Sequence, residues 1–306
     1  MTQIGFLGPA GTFAQEALFT QPDLGKEELV PYKSMPDVLV ATESGEVDFG
    51  FVALENAIEG TVNVSLDALI FDRELLIQRE IVVPVHLNVM GVAGSKLKDV
   101  KRIISFPHAP PQCRAFLLEN LPDVEIIASN STADAALEVQ QQKDPLLAAI
   151  ANAYCAELYN LEILAPNVED HHDNATRFVL VGRGHVPEPT GHDKTSIVWF
   201  QREDAPGSLH AILGEFSARA INLTKLESRP TKASLGDYCF IIDLQGHIAD
   251  EVVADCLREL HMLGDVKYLG SYPAAGEGGD AIRREADARW RDADDWIANL
   301  RKQIGK

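Results

Sequence analysis

The chain has 306 residues, 46% of them hydrophobic, which is enough to fill several cores and too many for a disordered or fibrous protein. Its 27 basic and 46 acidic residues leave a formal net charge of -19, which repels nucleic acid and anionic membrane and supplies no basic footprint for either. A site for an anionic small molecule must therefore gather its few positive groups and backbone amides locally.

The opening residues Met1-Thr2-Gln3-Ile4-Gly5-Phe6-Leu7-Gly8-Pro9 carry no basic region ahead of their apolar run, so no secretory signal is expected. Nowhere do about 18 apolar residues run uninterrupted, so no transmembrane segment is expected either. Cys113, Cys155, Cys239 and Cys256 are widely spaced, without a CxxC pair or a Cys/His cluster at metal spacing. They read as reduced packing cysteines of a cytoplasmic protein with no metal site.

Apolar runs at residues 4–7, 49–54, 103–106, 124–128, 146–151 and 178–181 predict buried strands. Amphipathic stretches at 35–43, 111–119 and 131–142 predict helices between them, and this alternation predicts α/β layers on largely parallel sheet. Ser131-Thr132-Ala133-Asp134 is a good helix start, with a hydroxyl cap and an acid in the first turn. The apolar stretch 75–90, interrupted by Arg79-Glu80, Pro84 and His86, is too long for one strand. It predicts a crossover between two α/β lobes, with a cleft that can enclose a small molecule.

Two Pro and three Gly within residues 182–194 mark a linker. Beyond it the pattern gives a strand at 195–200, a helix at 208–220, strands at 223–229 and 237–244, a helix at 250–263 and a strand at 266–272. This βαββαβ order is that of a ferredoxin-like sandwich. Glycines at 276–279 break the chain again, and Ile282, Ala286, Trp290, Ala293, Ile297, Leu300 and Ile304 then recur three and four apart, predicting one amphipathic helix. That helix packs either on its own subunit or in an oligomer contact. Three domains are thus expected, at residues 1–185, 194–273 and 280–306.

Gly8-Pro9-Ala10-Gly11-Thr12-Phe13 follows a strand and precedes a helix, where amides can converge on an anion. It lacks the Lys-Ser/Thr ending of a P-loop and the third glycine of a dinucleotide fingerprint, and by itself reads more readily as a Gly-rich turn. Glu55-Asn56-Ala57-Ile58-Glu59-Gly60-Thr61-Val62-Asn63 follows another strand, at the carboxyl edge where α/β clefts hold ligands. Asn56 offers both donor and acceptor and Gly60 permits close approach; the alternative is a polar loop capped by Thr61. In Asn174-Ala175-Thr176-Arg177-Phe178 the Arg177 fork suits a carboxylate and Thr176 adds a hydroxyl, although composition alone gives a strand entry with a surface Arg. Glu169-Asp170-His171-His172-Asp173 reads as a solvated loop ahead of a metal cluster. His86 and His108 are acid-base candidates without a recognisable partner, and no nucleophile elbow, HExxH or Cys-His signature occurs. The chemistry suggested is polar and cofactor-free.

Set in order, Gly8 to Phe13, Glu55-Asn56 with Gly60, Ser105 to Cys113, and Thr176-Arg177-Phe178 resemble the prephenate dehydratase family over residues 3–182. Ala205-Pro206-Gly207-Ser208-Leu209 ahead of a helix, and Asn222-Leu223-Thr224 running into Glu227-Ser228-Arg229-Pro230, resemble an ACT domain of the phenylalanine-binding kind. The resemblance implies a two-lobed catalytic domain like a periplasmic binding protein, joined to a ferredoxin-like ACT regulatory domain. It implies conversion of prephenate to phenylpyruvate with loss of carbon dioxide and water, without metal or coenzyme, in phenylalanine biosynthesis. The ring becomes aromatic, so positioning and preorganised hydrogen bonds suffice for catalysis.

By the same resemblance Thr176 is the donor to the leaving hydroxyl and Arg177 a carboxylate partner. Asn56, Ser105 and Gln112 line the cleft, and Gly11, Thr12, Glu55 and Phe178 complete the substrate pocket. Phenylalanine, the implied allosteric effector, falls to Gly207, Ser208, Leu209, Asn222, Leu223, Thr224, Glu227, Ser228 and Arg229. Phe106 stands where a His often follows the serine, and Asn152 where a Ser often closes the Ala-Ala-Ile strand. ACT domains usually pair, so a homodimer or homotetramer is expected. The rival readings are an arogenate dehydratase, whose substrate carries an amine in place of the keto oxygen, and a non-catalytic two-lobed amino-acid sensor.

Overall fold

The computed structural model describes residues 1–202, 205–232, 237–276 and 280–303, with the backbone alone over 280–287 and at 289. The chain opens with β1 (Gln3–Leu7), α1 (Phe13–Phe19), β2 (Glu28–Tyr32), α2 (Met35–Ser44), β3 (Phe49–Asn56), β4 (Gly60–Thr61) and α3 (Asn63–Asp67). One turn of π-helix, Ala68–Asp72, leads into β5 (Leu75–Pro84). There follow β6 (Asn88–Gly91), β7 (Arg102–Ser105), α4 (Ala109–Gln112), α5 (Arg114–Asn120), β8 (Glu125–Ala128), α6 (Thr132–Gln142), β9 (Leu147–Ala151), α7 (Ala153–Tyr159), β10 (Glu162–Ala165) and β11 (Ala175–Arg183). The chain continues with β12 (Asp193–Phe200), α8 (Ser208–Ala218), β13 (Leu223–Pro230), β14 (Tyr238–Gln245), α9 (Glu251–Leu263), β15 (Asp265–Pro273) and α10 (Asp280–Arg301).

Two sheets build the first lobe pair. One has the order β2-β1-β3-β11-β5, with β4 on β3, and the other β10-β6-β9-β7-β8. Pairing is parallel from β1 to β2 and β3 and from β7 to β8 and β9, as βαβ crossovers require. β6 runs antiparallel to β9 and β10. The stretch 75–90 resolves into β5 of the first sheet and β6 of the second, broken where Pro84 removes a ladder donor. The chain thus passes between the lobes at Val85-His86-Leu87 and returns before β11.

Burial follows the apolar pattern. Every residue of β9, Leu147-Ala148-Ala149-Ile150-Ala151, is buried, as expected of a central strand covered on both faces. Its two faces meet separate clusters, one with Ile103, Cys113 and Leu117, the other with Ile104, Ala135 and Val139. In the first lobe Ile4, Phe6, Leu18 and Leu180 surround Phe51 and Phe178, whose rings stack 5.1 Å apart. α6 begins where Ser131 accepts from Asp134 N at 2.9 Å, a cap whose loss costs about 1 kcal/mol.

The chain forms two compact units, residues 1–68 with 81–180, and residues 69–80 with Val181 onward. The second unit is an antiparallel sheet, β13-β14-β12-β15, with α8 and α9 over a core of Ile197, Trp199, Phe216, Ile242 and Leu260. Trp290 of α10 packs against this same core, while Trp296 is exposed. Ile304 and the side chains of Ile282 and Ala286 lie outside the described residues.

Residues 69–80, expected within the first domain, pack instead with the second unit. Lys194 Nζ binds Glu80 through both carboxylate oxygens, at 2.7 and 2.9 Å, and Lys267 Nζ donates to Arg73 O at 2.9 Å. Gly270 has φ +135°, and a Cβ there would lie 2.6 Å from Ile77 O, so only glycine permits this approach. Among the described residues no helix is long and apolar enough to cross a membrane.

Candidate active site

The carboxyl ends of β1, β3, β7 and β8 open onto a cavity of about 550 Å³ within the first unit, its wall shared by both lobes. Thr12, Asn56, Glu59, Gly60 and Asn63 come from the loops of the first lobe, and Thr176 and Phe178 from β11. Phe106, His108, Gln112, Asn130, Ser131 and Thr132 face them from the second lobe. The rest of the lining includes Leu7, Met35, Phe51, Val85 and Leu87, so most of the surface is apolar and a few polar groups carry the specificity.

Those polar groups form one connected chain. Asn56 Oδ1 accepts from the backbone amides of Ile58 and Glu59, both at 3.0 Å, which fixes the amide's orientation. Its Nδ2 must then face β11, where it donates to Asn174 Oδ1 at 2.9 Å and Thr176 Oγ1 at 3.0 Å. Asn174, only 1% exposed, passes the pattern on by donating to Gln112 Oε1 at 3.0 Å. Gln112 Nε2 donates in turn to Glu59 Oε1 at 3.0 Å. Because Thr176 Oγ1 accepts from Asn56, its own proton is left to donate into the cavity.

The wall holds one carboxylate, Glu59, and no Lys or Arg among its described residues. His108 Nδ1 sits 3.2 Å from Glu59 Oε2. An anion bound here meets amide dipoles in place of cations, and the eleven-residue α6 starts at the wall with Asn130, Ser131 and Thr132.

The structure gathers Thr176, Asn56, Gln112, Thr12 and Phe178 at the cavity and places others elsewhere. Arg177 alternates along β11 with Thr176 and Phe178, so it leaves the wall for the opposite face, where Nη1 lies 3.7 Å from Glu55 Oε2. Neither Arg177 nor Glu55 lines the cavity. Ser105, the last residue of β7, is fully buried with Oγ making no hydrogen bond among the described residues, and its neighbour Phe106 stands in the wall. Gly11 is already engaged. Its amide donates to Gln15 Oε1 at 2.7 Å, and its carbonyl accepts from Asn152 Nδ2 at 3.0 Å and Cys155 Sγ at 3.1 Å. Asn152 therefore both caps α7 and holds the β1–α1 loop from the other lobe. Thr12 spends its hydroxyl on Leu7 O at 2.8 Å.

Asn174 and Glu59 were not among the expected site residues, and His108 was expected only as an acid-base candidate without a recognisable partner. Their partners lie about 50 to 120 residues away in sequence, so no local signal marks them. The loop 169–173 is not simply solvated. Glu169 is 4% exposed and accepts from Leu87 N at 2.9 Å, with His86 Nδ1 also at 2.9 Å, tying the two inter-lobe segments together. Burial alone would raise its carboxyl, but the hydrogen bonds of His86, Leu87 N, its own backbone amide and His172 outweigh this and hold it below the ordinary carboxylate range.

In the second unit Gly207, at φ +89°, caps the N-terminus of α8, where an added Cβ would meet nothing within 4 Å among the described residues, and Ser208 Oγ donates to Ala205 O at 3.0 Å. Leu209 and Leu223 pack on the core beneath the helices. Asn222 accepts from Gln245 N at 2.9 Å through its carbonyl. β13 is an edge strand on which Thr224 and Ser228 are exposed and Glu227 pairs with Arg229 at 3.3 Å.

The family model described as prephenate dehydratase matches residues 4–186, and that of the ACT domain matches residues 197–261. The chain is 39% identical to a prephenate dehydratase of Mycolicibacterium gilvum, over 99% of each chain. Among solved structures, the prephenate dehydratase of Arthrobacter aurescens in complex with L-Phe is similar at 38% identity and TM-score 0.90, covering 98% of this chain and 100% of that one. A second, GqqA, described as a novel type of quorum-quenching acylase, is similar at 30% identity and TM-score 0.80, covering 89% and 98%.

Proposed function

The chain belongs to the prephenate dehydratase family, a family of lyases, and we propose that its inter-lobe cavity converts prephenate to phenylpyruvate as follows. The ring carboxylate leaves as carbon dioxide and its bonding pair enters the ring. The ring C–O bond breaks, and the departing hydroxyl takes up one proton to become water. Thr176, oriented by Asn56, donates a hydrogen bond to that departing oxygen as negative charge develops on it. A threonine hydroxyl is too weak an acid to surrender its proton outright, so Thr176 holds the leaving group while a proton arrives.

The two carboxylates of the substrate have opposite needs. One loses its charge during the reaction and is favoured against the apolar wall of Phe106, Phe178 and Leu87. The other keeps its charge and fits the amides at the start of α6. The observation that carries this reading is the Asn56 to Thr176 hydrogen bond at 3.0 Å in the cavity wall. The test is phenylpyruvate formation by the purified full-length protein, with arogenate assayed in parallel. Turnover of arogenate alone would give the function to the rival substrate, and turnover of neither would leave a sensor.

The second unit carries the regulatory half of the proposal. L-phenylalanine, present in the Arthrobacter relative, binds near Gly207-Ser208-Leu209, Asn222-Leu223-Thr224 and Glu227-Ser228-Arg229, within a cytoplasmic homodimer or homotetramer. Positions 1–185, 194–273 and 280–306 divide the functions, with residues 69–80 grouped with the second unit by their packing.

A further inference from the structure

A carboxylate in the wall of a cavity meant for a dianion is unexpected, because it repels the substrate. Glu59 has two partners that give it a task. Gln112 Nε2 donates to Oε1 at 3.0 Å and His108 Nδ1 lies 3.2 Å from Oε2, both from the α4 region of the other lobe. A primary amide such as Gln112 can present either its oxygen or its nitrogen to a neighbour, whereas an ionised carboxylate can only accept. Glu59 therefore admits only the amide nitrogen of Gln112, the same orientation that the Asn56 end of the chain requires.

The consequence runs along the chain. With Gln112 Nε2 on Glu59, Oε1 must face Asn174, and Asn174 Nδ2 donates to it at 3.0 Å. Asn174 Oδ1 is then the acceptor for Asn56 at 2.9 Å. The chain is anchored at one end by backbone amides on Asn56 and at the other by Glu59, and it crosses from the first lobe to the second and back. We propose that Glu59 is a positioning residue for the dehydration, acting through Gln112 to hold the two lobes closed with the amide chain aligned on Thr176. His108 holds the second oxygen of the same carboxylate.

This rests on the dehydratase reading, so the wild-type rate on prephenate is measured first and judges that reading alone. Glu59 is well exposed at 41% and Gln112 is half-buried, so Glu59→Gln, Gln112→Ala and the double variant keep the fold; thermal midpoints verify this. Glu59→Gln keeps the shape and removes only the acceptor-only character. It should lower kcat about ten- to a hundredfold, the worth of one hydrogen bond to a charged group, while KM moves less than about threefold. In the Gln112→Ala background Glu59→Gln should then have no further effect on kcat, because Glu59 acts through Gln112. A kcat unchanged by Glu59→Gln, or losses that multiply in the double variant, would overturn the proposal.

Discussion

Replacing Thr176 by valine preserves the shape of the side chain and removes its hydroxyl, so it separates catalysis from folding. The folded state loses one hydrogen bond, but Asn56 Nδ2 keeps Asn174 Oδ1 at 2.9 Å and Ala175 O at 3.3 Å, so no buried donor is orphaned. The stability cost is then about 1 kcal/mol or less, a thermal shift of roughly 2–4 °C in a chain of this size. The reaction loses a donor aimed at the oxygen on which charge develops, a contact whose removal costs about 10²–10³ in kcat. Both quantities are measured on one preparation, by phenylpyruvate formation over a range of prephenate concentrations and by thermal melting. A kcat within threefold of wild type would refute the placement of Thr176 at the leaving group. A collapse in stability would show that Asn56 depends on Thr176 more than the geometry allows.

Three further substitutions test other placements. Arg177→Lys should leave KM for prephenate unchanged, because Arg177 lies on the far face of β11 beside Glu55; a severalfold rise in KM would return it to the cleft. Glu80→Gln leaves Lys194, with its side chain 15% exposed, without its carboxylate and should destabilise the protein by about 3 kcal/mol in thermal or denaturant melting; an unchanged midpoint would contradict the buried pairing. Glu169 has a folded pKa below its unfolded value, so its stabilisation is present above the ordinary carboxylate pKa near ~4.3 and is lost as pH falls through the lower folded value. Melting from pH 6 to 3 should therefore fall more steeply in wild type than in Glu169→Gln, and parallel curves would remove Glu169 from the acid response.

Much of this architecture is legible in the order of residues because local rules and tertiary structure agree. The all-apolar β9 announces a strand covered on both faces, and Ser131 with Asp134 announces α6. β2 escapes such reading because it is a half-exposed edge strand containing Pro31, with weak alternation and pairing on one side only. In Thr176-Arg177-Phe178 the motif is visible, yet a motif has no faces. The period of two along β11 sends Arg177 away from its neighbours, which a reading by chemistry alone overlooks. Ser105 lies outside the lining for the same reason, next to Phe106. The amide chain from Asn56 through Asn174 and Gln112 to Glu59 joins residues 118, 62 and 53 positions apart, and nothing local encodes such pairings.

The divided allegiance of β5 bears on how the polypeptide matures. Residues 69–80 leave the ribosome more than a hundred positions before Val181, where the rest of their unit begins. Until then Glu80 waits for Lys194, and Ile77 waits for the backbone of Gly270 that will lie against it. The second half of β5, from Ile81, meanwhile belongs to the earlier unit, so a strand half committed must be kept from wrong neighbours during synthesis. A protein cut in the segment 182–194 would carry residues 69–80 on the wrong fragment. The N-terminal piece would bear an uncovered strand and a Glu80 deprived of Lys194, and the C-terminal piece would lack part of its packing. Two such fragments, made separately and mixed, should complement each other where neither is well folded alone.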